Sequence, residues 1–268
     1  MKTTIIKIYK FLIQSFFYDP KVYFYSMASY IFGTQPTPIK IISPEDLVMA
    51  ISRGKSLIRF GDGEALIMTG RDIYYQPTSR KLNRIFRQII SHYNEQAPFV
   101  FCLPTVELAE TSVSLKSRER YRIWRLFRVF FPLRMRTDLA YGDYVTFYRG
   151  QAFEKVLSPY IKDKHLICVA NTKTLDKTLQ KLLTQKSKQA SFVFAPSVDA
   201  YQAEEKIKAD INLALQKTEP YTKPLILLAI GPASKALAFE YCQRGIQSLD
   251  IGHGMEIIGR NFDYSDKI

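Results

Sequence analysis

The sequence is poor in cysteine and histidine, with three residues of each type in a chain of 268. Cys102, Cys168 and Cys242 lie far apart in apolar stretches, and no C-x-x-C pair occurs. This pattern excludes a disulfide framework and a structural zinc site built on cysteines. It predicts three small core residues in a reducing compartment.

The sequence also lacks an apolar run of the length that a membrane span needs, about 20 residues. The most apolar region, 1–33, is interrupted by Lys7, Lys10 and the Asp19-Pro20-Lys21 stretch. It has no small-residue cleavage site, so a secretory signal is not expected. Apolar residues recur there at helical spacing, namely Ile5, Ile8, Tyr9, Leu12 and Phe16. We therefore predict an N-terminal aromatic helical segment over 1–40 that packs on the protein or lies on an anionic membrane surface.

Acidic residues are outnumbered, 25 against 38 basic ones, which gives a formal net charge of +13. This balance favours binding to polyanions, which include phosphate-bearing small molecules, anionic membranes and nucleic acids. No recognisable nucleic-acid-binding motif occurs, so nucleic acid is not an expected partner. The sequence contains no internal repeat either, which excludes a solenoid.

What the sequence does contain, after the prolines of TQPTPIKIISPEDL, is a succession of apolar strand patterns and helix patterns. The strand patterns are SLIRF, PFVFCLP, HLICVA, SFVFAP, PLILLAIGPA and IQSLDIG. Such a succession predicts an α/β fold, a Rossmann-like, mostly parallel sheet flanked by helices, over 41–268. A helix is expected over 44–52, where Ser43 and Asp46 have capping-box spacing.

A basic and aromatic segment, 112–136, stands apart from this pattern. Its spacing predicts a helix that stops before Pro132, with arginines on one side and aromatic residues on the other. The arginines are Arg118, Arg120, Arg122, Arg125 and Arg128. Two interpretations are open: a solvated face over a core stripe, or a surface that binds an anionic acceptor or a membrane.

Polar and glycine residues gather where the predicted strands end. Ligands of parallel sheets bind at the carboxyl ends of the strands, so these loops are expected to form one site. The loops are Gly61-Asp62-Gly63-Glu64, Asn171-Thr172-Lys173, Pro196-Ser197, Gly231-Pro232-Ala233-Ser234 and Asp250-Ile251-Gly252-His253.

The GDGE loop carries the strongest signal. In extended backbone, Asp62 and Glu64 project to the same side, and two converging carboxylates repel unless a cation lies between them. Mg²⁺ and Mn²⁺ take such oxygen ligands. Gly61 and Gly63 let backbone N–H groups approach a phosphate, and Arg59 adds positive charge against an anion. The alternative is a tight strand-to-helix turn capped by Asp62.

The other loops give weaker signals. Ser234 follows Gly231 into a helix, whose N-terminus suits an anion, although Gly-Pro also simply turns a chain. Asn171, Thr172 and Lys173 suit a phosphate or a ribose, or form an N-cap with a solvated lysine.

Together, RFGDGE after an early strand, LLAIGPAS and the closing DIGH resemble bacterial glycosyltransferases of the GT-D type, long catalogued as a domain of unknown function. The resemblance covers about 43–262. It implies a Rossmann-like fold and a nucleotide-sugar donor, usually a UDP-sugar. It also implies a D-x-E motif that binds the donor diphosphate through Mn²⁺ or Mg²⁺.

On this resemblance Asp62 and Glu64 are metal ligands, and His253, in the GH of the family, is a third candidate. The family commonly has an acidic residue two places after that histidine, where this sequence has Met255 followed by Glu256. The candidates for the catalytic base are therefore Glu256, Asp250 and His253, in that order. The candidate donor-binding residues are Arg59, Gly61, Gly63, Asn171, Thr172, Lys173, Pro196, Gly231 and Ser234.

The expected function is metal-dependent transfer of a hexose, as from UDP-glucose, to a glycan acceptor in bacterial surface polysaccharide or glycoprotein synthesis. The acceptor is lipid-linked or on a glycoprotein, and the expected location is the cytoplasm or the inner face of the plasma membrane. One alternative is metal-dependent phosphoester or diphosphate hydrolysis, which usually needs more convergent Asp and His residues. Another is a non-enzymatic basic module for membranes or nucleic acid, which leaves the GDGE loop unexplained.

Overall fold

The computed structural model describes residues 19–117, 121–145 and 158–256. In this part of the chain eight strands form one sheet, and every pairing is parallel. The strands are β1 Lys40–Ile41, β2 Ser56–Arg59, β3 Phe99–Leu103, β4 Ala140–Asp143, β5 Lys164–Ala170, β6 Gln189–Phe194, β7 Lys223–Ala229 and β8 Ser248–Asp250. The expected α/β fold with a parallel sheet is confirmed.

Helices cover the sheet and fill most of the connections between its strands. They are α1 Pro20–Phe32, α2 Pro44–Ser52, α3 Asp62–Met68, α4 Arg80–His92, α5 Thr105–Ala109, α6 Ser112–Ser117, α7 Tyr121–Arg134, α8 Ser158–Ile161, α9 Lys177–Lys186, α10 Glu204–Gln216 and α11 Pro232–Gln243. A 3₁₀ turn, Ala200–Ala203, precedes α10. The predicted helix over Pro44–Ser52 is confirmed, with the Ser43 hydroxyl accepting from the Asp46 N–H at 3.1 Å.

Both faces of the sheet are buried, which is why its strands read as nearly continuous apolar runs. Successive residues of a strand enter opposite cores: Phe99 and Phe101 pack on one side, and Val100 and Cys102 on the other. The three cysteines are buried and free, as predicted.

The basic segment differs from expectation in two ways. Helix α7 continues through Pro132 to Arg134. Arg125 and Arg128 are 5% and 2% exposed, so the solvated-face interpretation is wrong for both. Arg128 donates to the carbonyls of Glu107 (2.8 Å) and Glu110, at the C-terminal end of α5, where a cation satisfies unpaired carbonyls. Arg118 and Arg120, and the side chain of Arg122, lie outside the described residues.

The predicted N-terminal helix through Ile5 and Phe16 also lies outside the described residues. Helix α1 begins after Asp19, whose carboxylate accepts from the Val22 N–H and pairs with Arg134 at 2.7 Å, which ties α1 to α7. Within the described ranges, no helix has both the length and the hydropathy that crossing a bilayer requires.

The order of the strands is β1-β4-β3-β2-β8-β7-β5-β6. The last strand among the described residues, β8, therefore lies between β2 and β7 and joins the two halves of the sheet. Because all strands are parallel, the loops that follow β2, β8, β7, β5 and β6 meet side by side at one edge. These are the loops in which the sequence places its polar residues.

Candidate active site

A pocket of about 440 Å³ opens at this edge of the sheet. That volume lies in the range typical of small-molecule sites, about 300–1,000 Å³. The residues that line the pocket are Arg59, Tyr74, Tyr75, Asn171, Thr174, Pro196, Ser197, Val198, Ala200, Ala229, Ile230, Gly231, Lys235, Gly252, His253 and Glu256.

Four buried charged residues form a network at the pocket floor. Arg59, at the end of β2, donates from Nε to the Asp250 carbonyl at 2.6 Å and from a terminal nitrogen to Asp250 Oδ1 at 3.3 Å. Lys235 Nζ lies 3.1 Å from Asp250 Oδ2 and 3.3 Å from Glu64 Oε1. All four residues are at most 7% exposed, so each charge depends on its partners.

Lys235 remains a cation in this network. Burial acts to lower the pKa of its ammonium group, but the carboxylates of Asp250 and Glu64 outweigh burial and raise the pKa above its ordinary value. Lys235 also donates to the Gly231 carbonyl at 3.2 Å. With Arg59, it gives the pocket two positive charges that are fixed in place and balanced by the carboxylates of Asp250 and Glu64.

The GDGE segment is helical, so the expected extended geometry is wrong. Asp62 and Glu64 lie in the first turn of α3, where residues i and i+2 are about 200° apart around the axis. Glu64 Oε2 accepts from the Gly61 N–H at 2.7 Å, and Asp62 Oδ1 accepts from the Gly63 N–H at 3.0 Å. Both glycine N–H groups thus bond to the chain's own carboxylates, as in the capped strand-to-helix turn.

The three predicted metal ligands do not form a ready-made site. Glu64 is neutralised by Lys235, and the His253 side chain is 80% exposed. In the described part of the chain, no group of three or more His, Cys, Asp and Glu side chains is arranged to hold a metal ion. Mg²⁺ usually binds through one or two carboxylates plus substrate phosphates. Asp62 is half-buried and is not among the residues that line the pocket.

The candidates for the catalytic base have different surroundings. Glu256 lines the pocket, where its Oε1 accepts from the Thr174 hydroxyl at 3.3 Å and its Oε2 lies 3.8 Å from His253 Nδ1. Asp250 is fully buried and paired with Arg59 and Lys235 beneath the pocket. Glu256 is therefore the carboxylate that is placed to meet a ligand.

The loop after β5 reaches the pocket only in part. Asn171 and Thr174 line it, whereas the side chains of Thr172 and Lys173 are exposed to solvent. Asn171 Oδ1 accepts from the N–H groups of Lys173 (3.0 Å) and Thr174 (2.9 Å), so this oxygen caps its own turn. The N-cap interpretation is wrong for Asn171, because α9 begins at Lys177 and its N-cap is Asp176, whose carboxylate accepts from the Leu179 N–H at 2.8 Å. Lys173 is solvated, as that interpretation expected.

The loop after β7 places its residues unequally. Gly231 lines the pocket with a φ of +61°, whereas Ser234 is completely buried and its hydroxyl accepts from the Ile230 N–H at 2.9 Å. Pro196, from the loop after β6, also lines the pocket.

Sequence reasoning missed Lys235, Tyr74, Tyr75 and Thr174, all of which line the pocket. Lys235 carried a usable signal, since it stands one helical turn after Gly231 and residues four apart share a helix face. The adjacent tyrosines of IYYQP carried a weaker one.

A profile of the family "Glycosyltransferase GT-D fold" matches residues 57–257, most of the chain and all of the loops described above. The chain belongs to the glycosyltransferase GT-D family. The resemblance carried by RFGDGE, LLAIGPAS and DIGH is thereby confirmed.

Two relatives bear related names. The glycosyltransferase GlyD of Streptococcus pneumoniae serotype 4 is 28% identical over 228 residues, 78% of this GT-D chain and 26% of the relative. The probable glycosyl transferase Gly of Streptococcus gordonii is 27% identical over 232 residues, 78% of this chain and 31% of the relative. The GT-D chain therefore spans between a quarter and a third of the length of these curated relatives.

Solved structures support the same fold. A glycosyltransferase (DUF1792) from Streptococcus sanguinis has a TM-score of 0.66 and 24% identity over 85% of each chain. A second structure, of a DUF1792 domain with a distinct glycosyltransferase fold, has a TM-score of 0.66 and 22% identity over 86% of this chain and 82% of its own. At these identities the likeness concerns the fold alone.

Proposed function

We propose that this GT-D chain transfers a hexose from a UDP-sugar to a hydroxyl group of a glycan acceptor. The observation that carries the proposal is the pair of buried cations, Arg59 and Lys235, on the floor of a pocket at the carboxyl ends of parallel strands. A nucleotide sugar offers the matching anion, a diphosphate.

The two cations have a chemical role in this reaction. When the glycosidic bond of the donor breaks, negative charge develops on the departing UDP. Fixed positive groups in a site that excludes water stabilise such charge strongly because they need no reorganisation. Lys235 and Arg59 are fixed by Glu64 and Asp250, which hold their side chains in one geometry.

We further propose that Asp62 contributes one ligand to a Mn²⁺ or Mg²⁺ ion carried by the donor diphosphate. A bound divalent ion would supply additional neutralisation of the leaving group. Glu64 has a different task in this proposal, since it holds Lys235 and caps the start of α3.

The acceptor hydroxyl needs a base if the reaction inverts the sugar. Glu256 is the residue we propose, because its carboxylate lies in the pocket between Thr174 and His253. His253 is placed to orient this carboxylate.

The acceptor class and the location are part of the same proposal. We propose a glycan acceptor, lipid-linked or on a glycoprotein, that is modified in the cytoplasm. Exposed apolar side chains on α1, namely Phe24 (60%), Ile31 (79%) and Phe32 (82%), support peripheral contact of this helix with a membrane.

The test is release of UDP from a panel of UDP-hexoses, with and without Mn²⁺. We expect slow hydrolysis by the wild type, and a loss of at least about 100-fold of the Mn²⁺-dependent rate in Asp62→Asn, as for removal of a single stabilising group. Asp210→Asn is the matched control, because Asp210 lies on the surface of α10, where it pairs with Lys206 at 3.0 Å. Full Mn²⁺-dependent activity of Asp62→Asn would remove Asp62 from the proposal, and no turnover of any UDP-hexose would contradict the donor.

A further inference from the structure

Two adjacent tyrosines form the tip of a tight turn beside the pocket. Ile73 and Gln76 exchange two backbone hydrogen bonds, at 3.1 and 3.2 Å, and Tyr74 and Tyr75 are the two residues between them. Neither tyrosine has a positive φ, so the turn accepts most residue types and does not itself require a tyrosine. Tyr74 is 98% exposed, so folding does not explain an aromatic residue there.

The turn is held rigidly against the loop after β6. The Asp199 N–H donates to the Tyr75 carbonyl at 2.8 Å, and Gln76 Nε2 donates to Asp199 Oδ1 at 2.6 Å. Gln76 Oε1 accepts from the Tyr201 N–H at 3.1 Å. Asp199 takes a left-handed φ of 51° to make these contacts. Aspartate is among the residues that adopt this conformation most readily.

Tyr75 anchors the turn on the opposite side. Its ring packs on Gly231 so closely that a Cβ atom at that position would lie 2.7 Å from a ring carbon. The turn is therefore fixed to the loops after β6 and β7, which leaves the Tyr74 ring at the pocket edge.

The residues that line the pocket are of two chemical kinds. Arg59 and Lys235 are cations, whereas the turn and the loop after β6 contribute the aromatic and apolar side chains of Tyr74, Pro196 and Val198. The turn lies next to Lys235, because Tyr75 packs on Gly231, whose carbonyl accepts from Lys235 at 3.2 Å. A nucleoside diphosphate also combines two kinds of group, a charged diphosphate and a flat base.

We propose that Tyr74 is a base-stacking residue, on whose ring the nucleobase of the donor lies while the diphosphate reaches Arg59 and Lys235. This inference rests on the proposed nucleotide-sugar donor and adds the residue that binds its base. Stacking uses the face of the ring and not the hydroxyl group, so phenylalanine would serve as well. Because every base has such a face, stacking strengthens nucleotide binding without selecting uracil.

The experiment is calorimetric titration of the full chain with UDP in the presence of Mn²⁺, and separately with inorganic pyrophosphate. For Tyr74→Ala we expect the Kd for UDP to rise about 5- to 100-fold, the effect of losing one stacked base, with an unchanged Kd for pyrophosphate. Tyr74→Phe should bind UDP as the wild type does.

Tyr221→Ala is the matched control. Tyr221 is fully exposed, like Tyr74, but it precedes β7 and so lies at the opposite edge of the sheet. We expect its Kd for UDP to be unchanged. Thermal unfolding of Tyr74→Ala should match that of the wild type, since the ring contributes almost no buried area.

The outcomes separate the inference from the proposed function. An unchanged Kd for UDP in Tyr74→Ala, with normal binding by the wild type, overturns the role of Tyr74 alone. A parallel rise in the Kd for pyrophosphate also overturns it, because pyrophosphate has no base. A wild type that binds pyrophosphate but shows no preference for UDP overturns the nucleotide donor itself.

Discussion

Replacement of Lys235 by methionine tests the buried charge network most directly. The side chain of Lys235 is 8% exposed and neutralises two carboxylates, Glu64 at 3.3 Å and Asp250 at 3.1 Å. Methionine keeps much of the apolar stem but removes the charge. The variant therefore buries carboxylates that have lost a cation.

The size of the stability loss depends on the partners that each carboxylate keeps in the variant. Removing one partner of a buried ion pair costs about 3–5 kcal/mol, because it leaves an uncompensated charge. Asp250 keeps Arg59, whereas Glu64 loses the cation at Oε1 and retains the Gly61 N–H at Oε2. We therefore expect a loss near the lower limit, about 3 kcal/mol, or roughly 6–12 °C in Tm.

The pH dependence of this stability loss gives a second test of the prediction. The folded-state pKa of Lys235 is raised, so its stabilisation is complete below the ordinary lysine value of about 10.4 and constant in acid. That stabilisation is lost as the pH rises from about 10.4 through the raised folded-state pKa of Lys235. The stability gap between the wild type and Lys235→Met should therefore be complete at about pH 7 and shrink above about pH 10.

Denaturant unfolding at about pH 7 and at about pH 11 measures this gap. The control is Lys208→Met, since Lys208 is 18% exposed and pairs with Glu204, Glu205 and Glu240. The buried Glu204 keeps Lys81 at 2.6 Å and the other two carboxylates are exposed, so we expect a loss of about 1 kcal/mol or less. Adding Glu64→Gln to Lys235→Met should recover part of the loss, because it removes the unpaired charge. A loss below about 1 kcal/mol in Lys235→Met, or a gap that does not change with pH, would refute the reasoning.

Two further predictions concern single residues. Gly231→Ala places a side chain at a φ of +61° and against the Tyr75 ring, so we expect about 1–3 kcal/mol of destabilisation in denaturant unfolding, together with weaker UDP binding. The control is Gly245→Ala, which has a φ of +74° but open space around the added methyl group. It should show only the cost of the backbone conformation. Burial lowers the pKa of His165 below its ordinary 6.5. As the pH falls, His165 is therefore protonated at a higher pH in the unfolded chain than in the folded protein, and the free energy of unfolding should fall below about pH 6.5. His165→Gln should flatten this slope in Tm measurements, and an unchanged slope would assign the acid sensitivity to other groups.

The sequence predicted which loops meet at the edge of the sheet where the pocket opens, because that arrangement follows from local rules. Strand patterns that end in Gly, Asp, Asn and Ser mark the carboxyl edge of a parallel sheet whatever the strand order. The order itself was not predictable, since β8 inserts between β2 and β7 through pairings with residues far away in the chain. That insertion is what brings Asp250 to Arg59.

The orientation of individual side chains was less predictable, because it depends on where a helix begins. Asp62 and Glu64 project to one side in a strand and to nearly opposite sides in a helix, and four residues do not decide between the two. Ser234 and Lys235 are neighbours, yet one side chain bonds back to Ile230 and the other enters the network. A shift of one position along the helix therefore changes which contacts a side chain makes.

The electrostatic argument about GDGE shows the same limit. Buried carboxylates do need a cation, as the sequence suggests for Asp62 and Glu64. For Glu64 that cation is the chain's own Lys235, which stands 171 positions later at the N-terminal turn of α11. Charge balance within a buried site is a property of all the segments that meet there, so a motif read alone predicts the need for a cation but not its source. The source distinguishes Asp62, the carboxylate for which a metal ion is proposed, from Glu64, which holds a lysine of its own chain.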